Sequence, residues 1–255
     1  MGYEATLFGL GAKTLAIVCL AFVLAGFVKG VVGLGLPTVA VGLLSLVMPP
    51  AQAAALLVVP SLVTNVWQFA AGPRLLSLLR RLATMLLGVC IGVWAGSSLM
   101  TSGNSHVAST GLGVALVLYA LLGLSPVRIS VPKRAEPWLS PIVGFATGVV
   151  TAATGIFVIP AVPYIAALGL DKDDLVQALG ISFTVSTLAL AAVLVADGML
   201  DRSAAGVSLF ALAPALVGMW IGQHVRSRIR AETFRRWFFV GLLVLGLHLS
   251  LRAVM

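Results

Sequence analysis

Charged residues in this chain, Lys29 apart, concentrate in or at the edges of short gaps between long apolar runs, which cover 14–47, 51–71, 82–100, 107–124, 138–170, 175–196, 204–222 and 236–254. A helix needs about 20 apolar residues to cross the hydrocarbon core of a bilayer, and nearly every run meets that length. Two exceed it. At 1.5 Å per residue, 14–47 and 138–170 would each extend roughly 50 Å, against a core of about 30 Å. Both carry glycines followed by a proline: Gly30, Gly33, Gly35 and Pro37 in the first, Gly148, Gly155 and Pro160 in the second. Each is expected to be a broken element that enters the membrane and turns back, as a re-entrant hairpin or as two short helices. The pattern predicts an all-α polytopic membrane protein without a separate soluble domain.

The runs also repeat. Gly26-Phe27-Val28-Lys29-Gly30-Val31-Val32 matches Gly144-Phe145-Ala146-Thr147-Gly148-Val149-Val150. From Pro37 and Pro160 onward the chain aligns without gaps, placing Ala55-Leu56 over Ala178-Leu179 and Thr64 over Thr187. Gly92-Val93-Trp94-Ala95-Gly96 then matches Gly218-Met219-Trp220-Ile221-Gly222. Matched blocks in the same order indicate two homologous halves. The expected division is an N-terminal segment 1–13, a first membrane repeat 14–124, a cytoplasmic linker 125–137 and a second repeat 138–255. If each long run returns to its starting side, Lys13, Arg202 and Arg252 are the only basic loop residues left outside, as positive-inside retention favours. Eight simple crossings divide the positives almost evenly. Equivalent loops then lie on opposite faces, so the repeats are expected to be inverted, with a binding site near the midplane where they meet.

Composition narrows the class further. The chain is 60% hydrophobic and 9% charged, where a soluble domain carries about 25% charged residues. Its net charge of +8 does not signal nucleic-acid binding, because the basic residues sit in loops, densest at Arg226, Arg228, Arg230, Arg235 and Arg236, where topology and lipid headgroups account for them. Cys19 and Cys90 read as small buried thiols. The start of the chain lacks a basic region before its first apolar run, which is expected to be retained rather than cleaved. His106, His224 and His248 have no metal-ligand spacing. The Gly30-x-x-Gly33-x-Gly35 run lacks the lysine–hydroxyl ending of a phosphate loop. Neither an enzyme nor a cofactor is expected.

The chemistry centres on Lys29. A cation at bilayer depth is costly, and normally faces a protein interior or a water-filled cavity rather than lipid; the alternative is that it snorkels to an interface. Its expected surroundings are Gly30, Gly33 and Gly35 on one wall and Thr147, Gly148, Thr151, Thr154 and Gly155 on the other, with Lys29 aligned on Thr147. One cation with N–H and O–H donors suits a small oxyanion. Thr64, Asn65, Ser182 and Thr187 are further candidates to line the path, Asn65 foremost because its amide needs partners in hydrocarbon. The acidic residues Glu4, Glu136, Asp171, Asp173, Asp174, Asp197, Asp201 and Glu232 all fall in loops or at run ends. None is placed to neutralise Lys29, which disfavours a cation carrier.

At these blocks the sequence resembles the sulfite exporter TauE/SafE family of membrane transporters. The residues that carry the resemblance are Gly26-Phe27-x-x-Gly30 with Gly33-x-Gly35-x-Pro37, and Gly144-Phe145-x-x-Gly148 with Gly155 and Pro160. The alanine-rich stretch 51–57 and Gln177-Ala178-Leu179-Gly180-Ile181-Ser182 add to it. The resemblance implies movement of sulfite, sulfonates or sulfoacetate-like anions across a bacterial-type inner or plasma membrane. The expected partners are a small anionic substrate and the lipid bilayer, with a homodimer and a coupling proton or sodium ion left open. An anion channel, or a non-transporting scaffold or assembly factor, is the alternative.

Overall fold

A computed structural model describes residues 11–70, 72–101, 105–126, 130–226, 228 and 230–252. Among these residues the structure is helical, without strands: α1 (Ala12–Val32), α2 (Leu36–Leu44), α3 (Pro50–Ala70), α4 (Leu75–Ala95), α5 (Ser97–Thr101), α6 (Ser105–Leu124), α7 (Glu136–Thr154), α8 (Ala161–Ala166), α9 (Lys172–Ala196), α10 (Arg202–Arg226) and α11 (Ala231–Arg252). Seven helices are long and apolar enough to cross a membrane, namely α1, α3, α4, α6, α9, α10 and α11.

The two overlong runs are broken, but their first limbs are not short. α1 has 21 residues and α7 has 19, and α2 and α8 follow as brief second limbs. The breaks fall later than the first glycines of each block. Gly33 (φ 84°) and Gly155 (φ 74°) adopt the left-handed conformation that ends a helix, each N–H returning to the carbonyl four residues before, Lys29 and Thr151. In this cap register Lys29 corresponds to Thr151, one helical turn beyond the Thr147 expected from the sequence match.

The earlier glycines stay helical because they let backbones touch. α1 packs along α10 and α4 packs along α7, so each half lends a helix to the other. A Cβ on Gly26 would lie 2.0 Å from the Ala215 carbonyl oxygen, and one on Gly218 would lie 2.0 Å from that of Val23. The same interlock recurs between Gly144 and Met85 and between Gly92 and Phe145. Small residues spaced by four allow such close crossings in lipid, where no hydrophobic force draws helices together. α3 and α9 meet at the centre, and α6 pairs with α11.

Polar contacts mark the two ends of this bundle. At one end Arg74 pairs with Asp174 at 2.9 Å, and Arg81 forks onto Glu136 while also donating to the Leu168 carbonyl. Gln177 closes the α3–α4 turn there. Its amide N–H groups donate to the Phe69 and Gly72 carbonyls, and its oxygen accepts from the Arg74 N–H. At the other end Arg252 donates to the Leu46 carbonyl at 2.8 Å. Eight simple crossings would separate Arg74 from Asp174, and Arg252 from Leu46, by the thickness of the membrane.

Candidate functional site

Lys29 lies in the last turn of α1 and is 6% exposed, directed inward at α3. Its Nζ donates to the Thr64 hydroxyl at 2.9 Å and to the Asn65 side-chain oxygen. Because the ammonium can only donate, the Asn65 amide must turn its oxygen toward Lys29. The Asn65 Nδ2 then donates to Ser61 Oγ at 2.9 Å, and Ser61 Oγ lies 3.1 Å from Thr187 Oγ1 on α9. The Thr187 proton is committed to the Phe183 carbonyl, so Ser61 is the donor between them. Every bond in this chain therefore runs outward from Lys29. It crosses from the first half to the second near the centres of α3 and α9, and ends on a backbone carbonyl.

Nothing anionic among the described residues touches the lysine. Among the described residues the ion pairs are those of Arg74 and Arg81 at the bundle end. Lys29 is held by neutral oxygens and by the negative end of the α1 dipole, which favours a cation in its last turn. Donors remain. An ammonium has three N–H bonds, of which two are engaged, and the Asn65 amide has two, of which one is engaged. The set presents a charged donor and a neutral donor side by side, with no competing carboxylate.

The other expected residues divide by position. Thr64, Asn65 and Thr187 join Lys29, the last through Ser61. Gly30 and Gly148 face the α10 and α4 backbones, where an added Cβ would meet the carbonyl oxygens of Met219 and Val89 at 2.3 Å. Gly33 and Gly155 are the helix caps; Gly35 (φ 107°) precedes α2, its carbonyl accepting from Thr38. Thr147, Thr151 and Thr154 are buried on one stripe of α7, and each hydroxyl donates to the carbonyl four residues before it. Those protons are spent within the helix. Ser182 is fully buried without a hydrogen-bond partner among the described residues.

Two contributors escaped the candidate set. Ser61 links Asn65 to Thr187. Ser208 of α10 serves the proline that precedes them: Pro60 has no N–H, leaving the Leu56 carbonyl without its helical donor. The Ser208 hydroxyl donates to that carbonyl at 2.9 Å and accepts from the Val59 N–H at 3.0 Å. A proline inside an apolar helix was the signal, since a freed carbonyl in hydrocarbon must find a donor on a neighbouring helix.

The family described as sulfite exporter TauE/SafE matches residues 18–249. The chain belongs to the sulfite exporter TauE/SafE family. The match covers both halves and every helix described above except the outer ends of α1 and α11. No curated protein and no solved structure matches the chain. As a member of this family the protein is a multi-pass membrane transporter for sulfur-containing anions, and not an enzyme.

Proposed function

We propose that this transporter binds a small sulfite- or sulfonate-type anion at Lys29, between the two repeats and near the bilayer midplane. The observation that carries the reading is a buried ammonium held, among the described residues, by neutral acceptors. A cation out of water without a counter-charge is unfavourable, and an entering anion removes that cost while using the remaining Lys29 and Asn65 N–H donors. Thr64 positions the ammonium, and the Ser61–Thr187 contact transmits its state to the second half. Gly33 ends α1 just after Lys29, and Gly155 ends the matching α7 against Ala54 of α3; Gly30 and Gly148 admit the α10 and α4 backbones. Thr147, Thr151, Thr154 and Ser182 form the second-half wall, and a bound anion would compete for their hydroxyl protons. The exchange of α1 and α7 between halves supports inverted repeats that rock about this centre.

The test is ligand-induced stabilisation and flux with purified protein, since a ligand that binds only the folded state raises apparent stability by mass action. Sulfite, sulfate, taurine, isethionate and sulfoacetate would be compared with carboxylate analogues. Lys29→Ala should leave the protein folded and cost about 2 kcal/mol of binding, roughly thirtyfold in Kd. Unchanged affinity and flux in that variant would remove Lys29 from the site.

A further inference from the structure

A polar cavity lies at the opposite end of the bundle from the Arg74–Asp174 pair. There the turn after α2 meets the start of α6 and the end of α11. Its volume is about 290 Å³, and Ser45, His106, Ser109 and Arg252 line it beside the 46–49 backbone. Arg252 is anchored rather than loose, with Nη1 donating to the Leu46 carbonyl at 2.8 Å. A guanidinium carries five N–H donors in a rigid fork, so this anchor leaves most of them for another partner. The same bond covers a carbonyl at the end of α2 that would otherwise repel negative charge. Ser45 is 7% exposed, and its hydroxyl has no hydrogen-bond partner among the described residues. Among the described residues no carboxylate lines the cavity.

A fixed guanidinium, an imidazole and two hydroxyls can all donate, and none of the described lining residues is an acid that would compete. We propose that this cavity is a second oxyanion site, remote from Lys29, which takes a sulfate-, sulfonate- or phosphate-type group on Arg252, with His106, Ser45 and Ser109 completing the donor set. Its volume lies just below the roughly 300 Å³ at which pockets for drug-sized ligands begin, so the occupant is a small anion or a single headgroup. The site does not depend on the role given to Lys29. An anion held here stands at the mouth on the outer face assigned from the loop charges, where it is concentrated before entry or retained after release.

Thiol modification at the cavity tests this. Ser109→Cys would be made in a chain whose Cys19 and Cys90 are serine, and treated with negatively and positively charged methanethiosulfonates. The anionic reagent should react about tenfold faster, as a cationic cleft raises the local concentration of anions. Millimolar sulfate should slow the reaction. Arg252→Gln should abolish both the preference and the protection, whereas Lys29→Ala should leave both intact. Arg252→Lys, which keeps the charge but not the fork, should retain the preference and lose most of the protection; it also serves as the control should the glutamine variant fail to fold. Equal rates for the two reagents, or protection that survives Arg252→Gln, would overturn the site. Nanodiscs separate the sources of the group. Protection in discs of anionic lipid without sulfate identifies a headgroup phosphate, protection by sulfate in zwitterionic discs identifies a free anion, and protection in neither discards the proposal.

Discussion

Lys29 is surrounded by oxygens that carry no charge, and this makes its neighbours more informative than the lysine alone. Replacing the Asn65 amide by a carboxylate, Asn65→Asp, would supply the counter-charge that the site otherwise takes from its ligand. The variant should fold at least as well as the parent, with an unchanged or raised thermal midpoint in detergent. Anion affinity should fall about a hundredfold, roughly 2.7 kcal/mol, because the substrate then displaces an internal partner and meets a fixed negative charge. Tight binding in Asn65→Asp would mean that the anion does not sit at this ammonium. At this scale the sequence was legible where a polar side chain had no cheap alternative. An amide or ammonium in hydrocarbon must be paired, so Asn65 and Lys29 stood out, and they are bonded to each other. Hydroxyls were less legible. Thr64 and Thr151 look alike in sequence, and both give their protons to their own helix, yet only Thr64 receives the lysine.

Helix α3 carries both Pro60 and the polar residues that follow it, and Ser208 connects the carbonyl freed by Pro60 to α10. Ser208→Ala should leave the Leu56 carbonyl without a donor, at about 1–3 kcal/mol of stability. Pro60→Ala would restore an N–H to the Leu56 carbonyl. The loss from Ser208→Ala should therefore shrink in the Pro60→Ala background, a coupling that a double-mutant cycle reads directly. Additive losses would show that Ser208 acts by packing alone. Element boundaries explain what the sequence reading missed here. Glycine blocks marked where the long runs break, but not which glycine breaks them, because a helical glycine at a close crossing and a left-handed glycine at a cap are the same letter. Gly26 and Gly30 are the first kind and Gly33 is the second. The run boundary at 82 also fell short: α4 begins at Leu75, with Arg80 and Arg81 on its first turns, where Arg81 reaches Glu136.

Across the whole molecule, α1 packs along α10 and α7 along α4, so neither half of the chain packs by itself and the orientation of one fixes that of the other. Loop charge and side-chain contacts bear on this orientation separately. The charges place Arg74, Arg81 and Lys172 together inside and Arg202 with Arg252 outside. The contacts place Arg74 beside Asp174, two residues from Lys172, and Arg252 beside the turn that starts α3. Single cysteines at Ser77, Lys172 and Ser203, in a chain without Cys19 and Cys90, convert this into a topology measurement with a membrane-impermeant label. Ser77→Cys and Lys172→Cys should label from the same face, and Ser203→Cys from the opposite one. Eight simple crossings require the reverse grouping, with 77 and 203 together and 172 apart. That outcome would break the inverted arrangement and with it the midplane site. The expected one would leave α3 and α9, the antiparallel pair joined by Ser61 and Thr187, as the axis on which the halves move about Lys29.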